Sequence, residues 1–128
     1  MNLTIVDTDI LIDAARQVPE AVDCLQRIEQ RSALAVSVIT EMEPLVGCRN
    51  KTELRNTERF LRRFQIIALD DLSCQAAVDL LRQYRLSHGL TIPDALIAAT
   101  TMTLGSEFVT KNQRDYRFID GLELLLYP

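Results

Sequence analysis

Short apolar, β-branched runs alternate along this chain with longer segments of helical periodicity, and that alternation restricts the possible folds severely. Leu3 to Val6, Ala33 to Val38, Gln65 to Leu69, Glu107 to Thr110 and Leu122 to Tyr127 read as strands. Between them, helices are expected over Asp9 to Arg16, Pro19 to Gln30, Thr40 to Gly47, Lys51 to Phe64, Asp70 to His88 and Asp94 to Met102. The longest carries Leu72, Ala76, Ala77, Leu80, Leu81 and Tyr84 near a 3.6-residue period. The last is apolar nearly all round and should be buried. Strand-helix alternation of this kind folds as parallel strands with helices on both faces. The expected fold is α/β: a three-layer α/β/α domain with a central, mainly parallel five-stranded sheet.

At 128 residues the chain forms one domain, 1–128, long enough to bury a real core. There is no Trp and only 5% of residues are aromatic, so that core must be aliphatic. No run approaches the roughly 18 apolar residues of a membrane span. The first residues lack the basic flank and long apolar run of a signal peptide. The three cysteines, Cys24, Cys48 and Cys74, make no metal-ligand spacing and read as reduced thiols, which points to a cytoplasmic protein.

A formal charge of −4 excludes nucleic-acid binding by overall electrostatics, but not through a local basic surface. Arg49, Lys51, Arg55, Arg59, Arg62 and Arg63 cluster against only Glu53 and Glu58. Arg49, Lys51, Arg55 and Arg59 are candidates for RNA phosphate contact; an ordinary solvated helix face is the alternative.

Carboxylates recur where the expected strands end. Asp7 closes the first strand, with Asp9 just beyond. Glu41 and Glu43 follow the second, Asp94 opens the buried helix, and Asp115 follows the fourth strand. Ligands of open parallel sheets bind beyond the carboxyl ends of the strands. Carboxylates gathered there without cations repel one another and resist desolvation, a conflict that a hard, oxygen-preferring cation such as Mg²⁺ resolves. An all-carboxylate site of this type points to phosphodiester chemistry.

Each acid also has a purely structural explanation. Asp7 can cap the following helix, and Asp9 can favour its first turn. Thr40-Glu41-Met42-Glu43 fits a capping box, with Glu43 reaching back to the Thr40 amide. Asp94 beside Pro93 suits any helix start, and Asp115 any turn. That all hold at matching strand ends without a shared purpose is the weaker reading.

V-D-T-D after the first strand, S-V-I-T-E-M-E-P-L-V-G after the second, P-D-A-L-I-A-A-T, and V-T-K-N-Q-R-D-Y followed by I-D-G-L together resemble the PIN-domain ribonucleases. Among these the chain is most similar to the VapC toxins of toxin–antitoxin pairs. The match runs from the first strand to the C-terminus, the middle agreeing only in helix pattern and length. The resemblance places the acidic set, catalytic and metal-binding, on Asp7, Glu43, Asp94 and Asp115, with Asp9, Thr110 and Asn112 in support. Glu43 is preferred to Glu41 because it stands three residues after Thr40 and four before Gly47. The resemblance also implies Mg²⁺ or Mn²⁺, an RNA substrate, a homodimer and a small antitoxin. Two departures are Glu41, an extra carboxylate that can compete as a ligand, and Pro44, which removes an amide early in its helix and predicts a later helix start.

The expected function is therefore that of a metal-dependent endoribonuclease, the toxin of a type II pair. It would hydrolyse RNA phosphodiesters with carboxylate-held Mg²⁺ and a metal-activated water. His88, the single histidine, reads as a surface residue without a catalytic role. Three rivals compete. A phosphorylatable receiver-like domain would use Asp70, Thr110 and Lys111 but leaves Glu43 and Asp94 unexplained. A phosphatase with a nucleophile in Asp7-Thr8-Asp9 would need a longer chain. A catalytically silent PIN-like binding module would not need the intact acid set.

Overall fold

The computed structural model describes residues 2–128. Its elements run β1 (Leu3–Val6), α1 (Thr8–Ala15), α2 (Pro19–Glu29), β2 (Ala33–Ser37), α3 (Val38–Val46), α4 (Lys51–Leu61), β3 (Gln65–Ile67), α5 (Asp71–His88), α6 (Ile92–Leu104), β4 (Glu107–Val109) and β5 (Glu123–Leu124). A single 3-10 turn, Gln113–Asp115, follows β4. The five strands form one sheet in the order β3-β2-β1-β4-β5, and every pairing is parallel.

Alternation along the strands divides the core into two layers, because successive side chains leave a strand on opposite faces. Ile5, Ala35 and Phe108 face one side and pack with Ala77, Leu80 and Tyr84 of α5 and Ala95, Ile97 and Ala98 of α6. Their neighbours Val6, Leu34, Val36 and Val109 face the other, against Ile10 and Leu11 of α1, Leu25 and Ile28 of α2, and Leu61 of α4. The apolar helix α6 is buried as expected, with Ala95, Ile97, Ala98 and Ala99 at most 1% exposed.

Strand order fixes where a ligand can enter. From central β1 the chain moves to β2 on one side and later returns to β4 on the other. The carboxyl end of β1 is thus the switch point of the sheet, where helices depart to opposite faces and leave a crevice. Asp7 is the residue at that point.

Three local expectations are corrected. Thr40 does not cap its helix: α3 begins at Val38, with the Ser37 hydroxyl accepting from the Ile39 N–H at 3.1 Å. The supposed capping box at Thr40 and Glu43 is therefore absent, both residues lying inside the helix. Pro44 does not delay the start either; it sits within α3, where it leaves the Thr40 carbonyl without a helical donor. The last strand is also shorter than its apolar run, since only Glu123 and Leu124 lie within it. Leu125 extends the contact by one bond, its N–H donating to the Phe108 carbonyl at 2.8 Å.

Candidate active site

Asp7 leaves β1 still in extended conformation, and its N–H donates to the Val109 carbonyl at 3.0 Å. That bond holds the backbone against β4 while the side chain turns toward α1. One carboxylate oxygen accepts the Thr8 N–H at 2.9 Å and the other the Thr110 hydroxyl at 2.7 Å. Asp7 thus caps α1, as its structural reading proposed, yet it is only 6% exposed and has no cation among its hydrogen-bond partners. Burial, with the charge of Asp9 adding to it, pushes its pKa up to about 7, against the opposing effect of the Thr110 and Thr8 bonds.

Asp94 stands in the first turn of α6, where the Thr91 hydroxyl caps the helix by accepting the Asp94 N–H at 3.3 Å. Its carboxylate accepts the Tyr116 hydroxyl at 2.9 Å, and the same hydroxyl lies 3.4 Å from Asp7 Oδ1. Tyr116 is 1% exposed and packs edge-on against Phe108 with ring centroids 4.8 Å apart. Burial and the two carboxylates hold its phenol far above the usual tyrosine range, so it remains a neutral donor. Asp94 itself is raised by partial burial and by the charges of Asp115 and Asp9, against the Tyr116 bond.

Glu43 is placed by α3. One turn earlier the buried Thr40 hydroxyl accepts from Thr8 Oγ1 at 3.0 Å, fixing α3 against the start of α1. Glu43 then reaches the pocket from an exposed position, its pKa raised by burial and by Asp94. Glu41 lies two residues away and so on another face of the helix, and it does not line the pocket.

Asp9 has a different role. One oxygen accepts the Lys111 and Asn112 N–H groups at 3.1 and 3.0 Å, with the Thr110 hydroxyl at 3.2 Å, and the other accepts the Ile10 N–H at 2.7 Å. It ties the loop after β4 to the first turn of α1, while Lys111 Nζ pairs with Asp13 at 2.8 Å.

Asp7, Asp9, Glu43 and Asp94 together line a cavity of about 250 Å³, completed by Thr8, Ile12, Ile97 and Asn112. Asp115 is not in that lining. It is exposed on the 3-10 turn and borders a neighbouring cavity, close enough to Asp94 to raise its pKa. Of the basic candidates, Arg49 lines a groove of about 750 Å³ between α1, α3 and α4 that meets the acid pocket at Glu43. Its guanidinium pairs with Glu53 at 2.9 Å. Lys51, Arg55 and Arg59 are exposed on α4 outside that lining.

An all-oxygen donor set in which Asp7, Glu43 and Asp94 are held above their usual pKa suits a hard divalent cation. Among the described residues no three His, Cys, Asp or Glu side chains stand close enough to hold an ion as they are. Sequence reasoning passed over Tyr116 and misread Thr40. For Tyr116 the only signal was its place beside Asp115; its link to Asp94 spans 22 residues and depends on the tertiary fold.

A five-stranded parallel sheet clothed by helices on both faces, with carboxylates converging at its switch point, defines a doubly wound α/β domain carrying a candidate metal site. The PIN domain family matches residues 4–121, and the chain belongs to that family. It is 33% identical over 122 residues to Ribonuclease VapC10 of Mycobacterium tuberculosis, covering 94% of this chain and 91% of that protein. Its structure is similar to a toxin–antitoxin complex from Klebsiella pneumoniae, with a TM-score of 0.77, 31% identity and 96% of each chain covered. VapBC2 from Rickettsia felis, solved bound to a promoter DNA fragment, shares the fold at a TM-score of 0.83 and 23% identity, over 98% of this chain and 99% of that one. Among the described residues no helix is long and apolar enough to cross a membrane.

Proposed function

We propose that this chain is a divalent-metal-dependent endoribonuclease acting as the toxin of a toxin–antitoxin pair. The observation that carries the proposal is the convergence of Asp7, Glu43 and Asp94 in one cavity with proton affinities raised by burial and by neighbouring carboxylates. Asp7, Glu43 and Asp94 would hold Mg²⁺, or Mn²⁺ in its place, with Asp115 assisting from the rim. When bound, such an ion acidifies a water and offsets charge at the phosphate.

The protein's own part is positioning. Thr110 and Thr8 hold the two oxygens of Asp7, Tyr116 holds Asp94, and Thr8 with Thr40 seats the helix that carries Glu43. Asp9 and Asn112 keep the loop after β4 folded over the site. Ile12 and Ile97 form its apolar walls, which lower the local dielectric around the acids. His88 lines a different cavity, in keeping with a mechanism that needs no histidine base. Arg49, Lys51, Arg55 and Arg59 remain the candidates for RNA phosphates, Arg49 being nearest the acids along the groove.

The printed name of the Mycobacterium relative supports the ribonuclease reading, and the Klebsiella complex supports an antitoxin partner. A homodimer fits the exposed apolar surface beside the site, where Met42 and Val46 of α3 and Ile92 of α6 are 51%, 84% and 66% exposed. A PIN domain match across most of the chain does not favour the receiver-like reading, and the intact acid set does not favour the silent module. The direct test is cleavage of RNA by the purified chain beside Asp7→Asn, which removes one charge and keeps the shape. Loss of cleavage in the variant is expected, and cleavage at the rate of the parent protein overturns the proposal.

A further inference from the structure

A second cavity, of about 290 Å³, adjoins the acid pocket and shares Asp94 with it. Its lining sets His88, Phe118 and Arg114 beside the carboxylates of Asp94 and Asp115, where the first cavity has acids and no cation. His88, at the end of α5, stacks on Phe118 with ring centroids 4.2 Å apart and planes 10° from parallel, and Arg114 lines the same space. Phe118 is half-buried and His88 is exposed, so Phe118 backs the imidazole while His88 itself reaches solvent. Ser87 Oγ lies 2.8 Å from His88 Nδ1 and restricts the rotation of the ring.

The surroundings hold this platform in place. Arg85 donates to the carbonyls of Gly89 and Leu90 at 3.0 and 3.2 Å, pinning the loop between α5 and α6 where Gly89 takes the left-handed conformation at φ 72°. The Asp120 N–H donates to Tyr84 Oη at 3.1 Å, and the Tyr84 ring meets both His88 and Phe118 edge-on. These contacts produce a pre-set flat π surface with a cation beside it, next to carboxylates read as handling a phosphate. Single-stranded RNA is bound by that combination: an unstacked base lies on an aromatic or imidazole face and a guanidinium meets the backbone.

We infer that this cavity is a base-binding subsite for the nucleotide flanking the cleaved phosphate, the base stacking on His88 and Arg114 contacting the adjoining backbone. The inference rests on the ribonuclease reading above. A base enters only when it is free of its own helix, so the RNA must be single-stranded at that nucleotide. Stacking accepts any base, and the subsite therefore selects for an unpaired nucleotide more than for a sequence. The competing explanation is that the His88 and Phe118 stack only caps α5. That explanation moves thermal stability and leaves RNA handling alone.

The test uses the full chain with Mn²⁺. Total cellular RNA is digested and its new ends are sequenced to locate the cut, and then two oligoribonucleotides spanning it are compared, one normal and one abasic at the flanking position. For the normal oligonucleotide, His88→Ala should raise KM on the order of ten-fold with little change in kcat. His88→Phe should recover most of that loss, and Arg114→Ala should raise KM and weaken its dependence on salt. On the abasic oligonucleotide the parent protein and His88→Ala should become equal. If the parent cleaves but His88→Ala and Arg114→Ala match its KM and its ends, the subsite is wrong and the ribonuclease reading stands. If the parent cleaves no RNA at all, the ribonuclease reading fails and takes the subsite with it.

Discussion

The hydroxyl of Tyr116 donates to the carboxylate of Asp94 at 2.9 Å, joining the turn after β4 to the first turn of α6. Because the same oxygen lies 3.4 Å from Asp7, one neutral phenol sits between the two carboxylates read as metal ligands. Groups that orient a ligand from behind commonly change metal affinity 10- to 100-fold when removed. Tyr116→Phe keeps the ring and its packing on Phe108 while deleting only the donor. Its Kd for Mn²⁺, measured by calorimetry or spin resonance, should rise by about that factor, with the circular dichroism spectrum retained. An unchanged Kd would show that the hydroxyl does not orient Asp94.

Without metal, the acid site should make the fold less stable as the solution becomes more alkaline. Asp7 is raised from 3.8 to about 7 in the folded chain, so between those values the native state binds more protons than the unfolded one. Stability then falls as pH rises through that window, by on the order of 3 kcal/mol for this group. Glu43 and Asp94 shift in the same direction. Urea unfolding in EDTA from pH 5 to pH 8 should show the decline, and Asp7→Asn should flatten it and exceed the parent protein in stability at pH 8. A parent stability that rises over this range contradicts the assignment.

The apolar surface formed by Met42, Val46 and Ile92 offers a test of assembly that leaves the acids alone. If two copies meet there, Val46→Glu buries an unpaired charge at the interface, which costs several kcal/mol. Light scattering should then give a dimer for the parent protein and a monomer for the variant, with Mn²⁺ affinity retained. Identical masses would remove this face from the dimer reading.

Much of the fold was legible because its signals are local. Apolar runs of the right length gave β1 and β2, periodicity gave α5, and the uniformly apolar 95–102 stretch announced the burial of α6. The ends of elements were harder. Thr40 looked like a cap because T-x-x-E is a local pattern, but Ser37, three residues earlier, caps the helix and leaves Thr40 to bond with Thr8 across the fold. β5 shortened for a similar reason, since the apolar run 122–127 carries side chains needed for packing after pairing has ended. At the site, strand-end position pointed to Asp7, the family resemblance chose Glu43 over Glu41, and Asp94 stood out as the acid opening the apolar helix; the three line one cavity. Nothing in the sequence placed Asp115 on the rim or Tyr116 between the carboxylates, because both depend on how the turn after β4 packs against α6.

The central claim is most directly tested by incubating total cellular RNA with the purified chain in Mg²⁺, in EDTA, and beside Asp94→Asn. Discrete fragments that require both the metal and the Asp94 carboxylate are predicted, and sequencing their ends would identify the target. Fragments that persist in EDTA, or that Asp94→Asn produces as fast as the parent protein, would contradict the account.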